Sequence, residues 1–310
     1  MKGTLLVIGG SGFVSGTLAR RAVAAGWRVW VVTRGQRPVP EGVTAIVADR
    51  KDTNAFESAI AAAMQEVEID CFDLVADCIG YDPEDAVQNV AVFRERARQL
   101  VFVSTDFVFD PAHRRFPQGE VSEHYLLDSL QETYGGKKRQ CELEFLNGDT
   151  GDMTWTVIRP CHIYGPGSLL GCLPTHGRDK QLLERLRAGE PLRLVGGGHF
   201  LQQPILARDL ADLMLGVAGR TDLHERIFQA AGPDIVESVT YYRIIADILG
   251  VDLQIEELPV DQFLAQNPTS APFLCHRIYD LGNLREAALP VPSTPLPIGL
   301  AEHVAALDAQ

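Results

Sequence analysis

Thr4-Leu-Leu-Val-Ile8-Gly9-Gly10-Ser11-Gly12-Phe13-Val14-Ser15-Gly16 is the stretch on which the fold turns. Thr4 to Ile8 is an apolar run of strand length, and Phe13 to Ala25 has helical spacing that stops at Gly26. Between them lies a turn of the form Gly9-x-x-Gly12-x-x, with Ser15 where a third glycine is usual and Gly16 one place later. Glycines there let the backbone turn tightly and approach a pyrophosphate, and the helix that follows offers free N–H groups at the positive end of its dipole. The turn alone is a weak signal; its place between the first strand and the first helix is what makes it informative. Gly9, Gly12, Phe13 and Val14 become candidate cofactor contacts.

Outward from that turn, strands and helices alternate. Strands are expected at Arg28–Thr33, Thr44–Ala48, Cys71–Cys78, Leu100–Ser104 and Trp155–Arg159, and helices at Asn54–Gln65, Pro83–Arg98 and Ser129–Leu146. The strands read as continuous apolar runs, as they do when both faces of a parallel sheet are covered. The fold class is α/β, a doubly wound Rossmann sheet with a smaller C-terminal substrate domain. After Pro160 the texture changes, with dense glycine and proline from Gly165 to Pro174, a helix expected at Arg178–Ala188 and a last helix at Gly299–Leu307. Residues 1–160 are assigned to dinucleotide binding and 161–310 mainly to the substrate, with return segments to the first unit allowed.

Composition narrows the function classes. A hydrophobic fraction of 46% and a charged fraction of 22% over 310 residues are those of a globular chain. No apolar run reaches the roughly 20 residues that span a bilayer, and the N-terminal apolar stretch belongs to the fold rather than to a leader. The net charge of −13 repels phosphate backbones, so nucleic acid is not an expected partner. Cys71, Cys78, Cys141, Cys161, Cys172 and Cys275 show no paired metal-ligand spacing and read as buried thiols in a reducing cytoplasm. No metal site is expected.

The chemistry gathers in four places. The second expected strand ends in Thr33-Arg34-Gly35-Gln36-Arg37, without the carboxylate that would hydrogen-bond the ribose hydroxyls of NAD. Arg34 therefore points to NADP, with NAD also admissible. Asp49 and Arg50, after the third strand, are expected near the adenine, and Gly80, after the fourth, near the nicotinamide ribose. Tyr134 and Lys138 stand four residues apart, on one face of a helix. An ammonium beside a phenol lowers its pKa from about 10 and makes it a usable acid or base at a hydroxyl/carbonyl pair. With seven Tyr and five Lys in the chain, such a spacing arises by accident about one time in ten. Ser104-Thr105-Asp106, at the end of the fifth strand, supplies hydroxyls at the usual ligand crevice. Gly135 and Gly136 loosen the helix, by about 1 kcal/mol each relative to Ala, so that Tyr134 is expected near a helix start.

Together with Arg159-Pro160-x-x-Ile163-Tyr164-Gly165-Pro166, Arg208-Asp209-Leu210-Ala211 and Thr294-Pro295-Leu296-x-x-Gly299-Leu300, these residues resemble the extended, atypical short-chain dehydrogenase/reductases, the NAD-dependent epimerase/dehydratase group. The resemblance covers nearly the whole chain. It implies Thr105 as the hydroxyl partner, Tyr134 as the acid/base and Lys138 as its modulator and a cofactor contact, with Pro160 also beside the cofactor. It further implies a small sugar-type substrate touched by Asp106, His162 and Gln202, and often a homodimer. The strand-five motif is similar to that of dTDP-4-dehydrorhamnose reductases, whereas Thr33-Arg34-Gly35 and Gln202-Gln203 are similar to the chloroplast stem-loop RNA-binding branch. Two departures stand out. Phe107 replaces the Glu that shuttles protons in sugar dehydratases, and Gln202 replaces the Arg that usually holds a substrate diphosphate.

The expected function is thus an NAD(P)-dependent reductase or epimerase with a Thr105–Tyr134–Lys138 site. The alternative is a non-catalytic relative that binds RNA or senses NADP on the same fold.

Overall fold

A computed structural model of the chain describes residues 2–126 and 132–309. Strand β1 (Thr4–Ile8) leads into helix α1 (Phe13–Ala24), followed by β2 (Arg28–Thr33), β3 (Val43–Val47), α2 (Thr53–Glu66), β4 (Leu74–Asp77), α3 (Pro83–Phe93), β5 (Gln99–Val103), α4 (Tyr134–Asn147) and β6 (Thr154–Pro160). The second half adds β7 (Ile163–Tyr164), α5 (Leu182–Arg187), β8 (Leu192–Val195), β9 (Leu201–Gln202), β10 (Ile205–Leu206), α6 (Ala207–Gly216), β11 (Arg226–Ala230) and β12 (Val236–Glu237). It ends with α7 (Ser238–Leu249), β13 (Ile255–Leu258), α8 (Val260–Gln266), α9 (Gly282–Glu286) and α10 (Leu296–Asp308).

Seven strands form one parallel sheet in the order β3-β2-β1-β4-β5-β6-β11. Strand side chains alternate between faces. Leu5 and Val7 join Leu18, Ala22, Leu210 and Met214 on the face covered by α1 and α6, while Leu6 and Ile8 join Phe56, Ile60, Phe93 and Phe145 on the face covered by α2, α3 and α4. Both faces are dry, which is why the strands carry no polar alternation. A third core holds Tyr164, Leu182, Leu194, Tyr241, Ile245 and Leu300, beside the sheet's C-terminal edge. The order reverses between β1 and β4, the point at which such sheets open a ligand crevice at their carboxyl ends.

Two of the boundaries that differ from expectation lie at the site. Helix α4 begins at Tyr134, where the Thr133 hydroxyl accepts a hydrogen bond from the Gly136 amide at 3.2 Å; the expected start at Ser129 lies outside the described residues. Helix α5 begins at Leu182 rather than Arg178, because Arg178 takes a left-handed φ of +59° that no helix can contain. The return to the first unit that the sequence allows after Pro160 is made through α6 and the seventh strand, β11.

Candidate active site

The glycine-rich turn is built for close approach. Gly9 has a φ of +111°, and a Cβ on it would come within 2.7 Å of Ile79; one on Gly10 would overlap Val31. Ser15, in the third-glycine position, is buried and its Oγ accepts from the Gly12 amide at 3.1 Å, so the small hydroxyl braces the turn instead of blocking it. In front of the turn lies a cavity of ≈ 440 Å³ whose lining includes Gly9, Gly12, Thr33, Arg34, Arg37 and Asp49. Arg34 and Arg37 are exposed and have no ion pair among the described residues. The glycine cradle, helix N-terminus and free guanidiniums suit a dinucleotide.

Arg50 lines this cavity as well, but most of its hydrogen bonds are already taken within the fold. Its guanidinium is turned inward onto Asp77 at 2.9 Å and Asp85 at 3.2 Å, with further bonds to the Asp85 carbonyl and Asn89. It locks the segments after β3 and β4 together at the cavity wall. Phe13 lines neither cavity described here; its ring lies beside Gly167. The Asp49 carboxylate accepts from the Lys51 amide at 3.0 Å.

A second cavity of ≈ 410 Å³ adjoins the first, with Tyr81 in the wall of both. Thr105, Tyr134 and Lys138 line it together, with Val14, Pro160 and His162. The approach of α4 to the end of β5 depends on Gly135, where a Cβ would overlap the Phe107 carbonyl oxygen. That contact seats Tyr134 at the first turn of the helix, between the rings of Tyr81 and Phe107, with centroids at 6.4 and 6.3 Å.

The electrostatics correct one expectation. Lys138 is buried and donates to the carbonyls of Gly80 and Val103, both at 2.6 Å, with its ammonium 4.0 Å from the centre of the Phe102 ring. Burial holds its pKa below the usual lysine value. It is thus committed to two carbonyls rather than to the phenol. Tyr134, though half exposed, is pushed up to about 12 by desolvation and then by Tyr81, and a hydrogen bond with Thr105 offsets only part of this. Lys138 is not among the main influences on the phenol in this arrangement, and the net shift is upward.

Asp106 is also differently employed. It is buried and bound by Arg277 at 2.8 and 2.6 Å, by Tyr279 through a very short bond, and by Arg114, whose Nη2 also donates to the Asp106 carbonyl at 2.7 Å. Burial alone would raise its pKa, but the two guanidiniums outweigh that and hold it below the carboxylate range. A carboxylate so occupied braces the wall of the cavity that it lines. His162 lines the cavity and packs edge-on against Tyr241 at 6.0 Å. Burial first, then the charges of Arg277 and Arg178, drive its pKa down to about 3, so the ring is neutral at ordinary pH. Gln202 is buried in β9 and is not part of the cavity lining.

Arg277 and Arg178 are the site residues that sequence reasoning passed over. Arg277 meets Asp106 across 171 positions, and no local spacing signals such a pair. All six cysteines are free; Cys141, Cys161 and Cys172 are buried, whereas Cys71, Cys78 and Cys275 are only partly so. Among the described residues no three His, Cys, Asp or Glu side chains could hold a metal ion, and no helix is long and apolar enough to cross a membrane.

The family model described as NAD dependent epimerase/dehydratase family matches residues 5–231. A curated relative, chloroplast stem-loop binding protein of 41 kDa b from Arabidopsis thaliana, is 26% identical over 247 residues, covering 75% of this chain and 59% of that protein's length. It accords with the similarity already read in Thr33-Arg34-Gly35 and Gln202-Gln203. Among solved structures, the fold is similar to that of UDP-glucose 4-epimerase from Thermotoga maritima, solved with UDP-glucose (18% identity, TM-score 0.75, 99% of both chains). It is similar also to UDP-N-acetylglucosamine 4-epimerase from Methanobrevibacter ruminantium (16%, 0.77, 99% of both chains). A Bordetella bronchiseptica enzyme solved with NAD+ matches at 14% identity and a TM-score of 0.72, over 99% of this chain and 98% of that one.

Proposed function

The chain belongs to the NAD dependent epimerase/dehydratase family, and from that premise we propose that it is an NADP-dependent oxidoreductase or epimerase, with NAD as the weaker cofactor. Its substrate is a sugar or sugar-nucleotide-like compound that reacts at a hydroxyl/carbonyl carbon. The observation that carries this reading is the convergence of Thr105, Tyr134 and Lys138 on one cavity that meets the glycine-lined groove at Tyr81. In it, residues 1–160 hold the dinucleotide and 161–310 mainly shape the substrate pocket. Gly9, Gly12 and Val14 would lie along the dinucleotide, Arg34 at a 2′-phosphate, and Gly80, Lys138 and Pro160 near the nicotinamide. A bound nicotinamide supplies or takes up the hydride.

The protein's own part is proton handling. A phenol held near 12 is protonated at neutral pH, so the free site stands ready as a donor to a carbonyl oxygen that Thr105 also bonds. Running in the oxidative direction requires the Tyr134 pKa to fall. Lys138 supplies that when its ammonium leaves the Gly80 and Val103 carbonyls for the phenol side. His162, neutral, is available as a hydrogen-bond partner of the substrate. Phe107, in the position of a proton-shuttling Glu, weighs against dehydration. A cytoplasmic location, with the cysteines reduced, is part of the same proposal.

The test is a panel of sugars and sugar nucleotides followed at the nicotinamide absorbance. Tyr134→Phe should lower turnover by a factor of about 10²–10⁴ while leaving NADPH binding intact; full turnover in that variant would sink the mechanism. Cofactor that copurifies and resists dialysis favours an epimerase, and freely exchanging cofactor a reductase. The Arabidopsis relative's name raises RNA binding as a second reading. Salt-sensitive retention of a stem-loop RNA would favour it, against the −13 charge.

A further inference from the structure

The inner cavity has a charge opposite to that of the chain around it. The protein carries −13 overall, yet Lys138, Arg178 and Arg277 line the cavity, and Asp106 is the one carboxylate among the described residues that does so. Asp106 does not neutralise this set, because it is shared. Arg277 grips both its oxygens through Nε and Nη2, and Arg114, also buried, approaches Oδ2 at 3.5 Å. The remaining partner, Tyr279, is a phenol whose pKa burial raises far above neutrality. Two buried guanidiniums and one carboxylate leave a net positive charge beside the reacting groups. A buried charge without a partner is costly, and a fold tolerates it most easily where the partner is a ligand.

Arg277 shows where the deficit lies. The residue is 2% exposed, its face lies 4.3 Å from the centre of the Phe107 ring, and its Nη1 has no hydrogen-bond partner. Arg178, in the same cavity wall, is held in its left-handed conformation by a braced loop. The His176 ring bonds Asp179 at 2.9 Å, and the Tyr242 hydroxyl ties down Cys172 and Thr175. Both arginines act on His162 from within the site. Resting on the function proposed above, we propose that the substrate bears an oxyanion, a carboxylate or a phosphate, on the unit that is oxidised or reduced, received by Arg277 and Arg178 beside Thr105 and Tyr134. A planar guanidinium with Nη1 still unpaired matches such a group in a way an ammonium does not.

The experiment is calorimetric titration of the NADPH-loaded full-length protein, at fixed ionic strength, with glucose, glucuronate and glucose 6-phosphate. At least one anionic sugar should bind about tenfold or more tightly than glucose, as charge-assisted hydrogen bonds require, and the stronger of the two identifies carboxylate or phosphate. Arg178→Gln leaves the Asp106 cluster untouched and should remove about tenfold of the preference, with NADPH affinity unchanged. Arg277→Lys, which keeps the charge but loses the fork, should do the same; if it fails to fold, Arg178→Gln decides. The proposal falls if glucose binds as tightly as both anions, if neither anion binds, or if the preference survives Arg178→Gln. It falls too if Arg178→Gln weakens NADPH itself, which would assign the charge to the cofactor. Failure of the parent reading looks different, since NADPH then does not bind at all; the anion preference is in that case scored on the cofactor-free protein.

Discussion

At the scale of single residues, Tyr134 and Lys138 separate into two roles that a shared helix face would have merged. The lysine fills two carbonyls, and the tyrosine carries the proton. Lys138→Met should therefore destabilise the fold by about 1–3 kcal/mol in urea denaturation, the cost of leaving buried acceptors without their donor. Tyr134→Phe should leave stability almost unchanged and lower turnover on an identified substrate by a factor of about 10²–10⁴. His162 gives a third expectation, with a definite sign. Its ordinary pKa of about 6.5 falls to about 3 in the folded chain, so the unfolded chain takes up a proton that the folded one refuses. That contribution to stability is complete above pH 6.5 and is lost as pH falls through the window, at roughly 1.4 kcal/mol per unit for this one group. His162→Asn should flatten the stability curve between about pH 6.5 and 5, above the range of ordinary carboxylates; an unchanged slope would refute the assignment.

At the scale of elements, the contact between α4 and the turn after β5 sets the site. Gly135→Ala places a methyl group against the Phe107 carbonyl oxygen, and α4 must back away. We expect a loss of about 1–3 kcal/mol, as for overpacking, together with lower turnover because Tyr134 moves with the helix. Thermal unfolding and steady-state rates check this. The same element shows what sequence discloses. The glycine pair flagged a helix start, and Thr133 caps it there. The first six strands were legible because both faces of the sheet are apolar, and the phosphate turn because its glycines sit between a strand and a helix. Strands β7, β9, β10 and β12 have two residues each, too few for any periodicity. The partners of Lys138 are backbone carbonyls, and those of Arg50 and Asp106 lie far along the chain, so side-chain spacing spoke to none of them.

At the scale of the molecule, a negatively charged chain surrounds a positively lined cavity, and the Asp106 cluster joins the two halves. It ties the end of β5 to the segment holding Arg277 and Tyr279, so the substrate side and the cofactor side share one buried anchor. Asp106→Asn removes a buried carboxylate shared by two guanidiniums and should cost about 3–5 kcal/mol, seen as an earlier denaturation midpoint. That the chain binds a nicotinamide dinucleotide along the groove from Gly9 to Lys138 is the claim on which the rest depends. It is tested most directly by fluorescence titration of the wild type and of Arg34→Ala with NADPH and NADH. We expect saturable binding of both, NADPH about tenfold or more tightly, and loss of that preference in Arg34→Ala, as one charge-assisted phosphate contact implies. Binding of neither dinucleotide would contradict the claim outright.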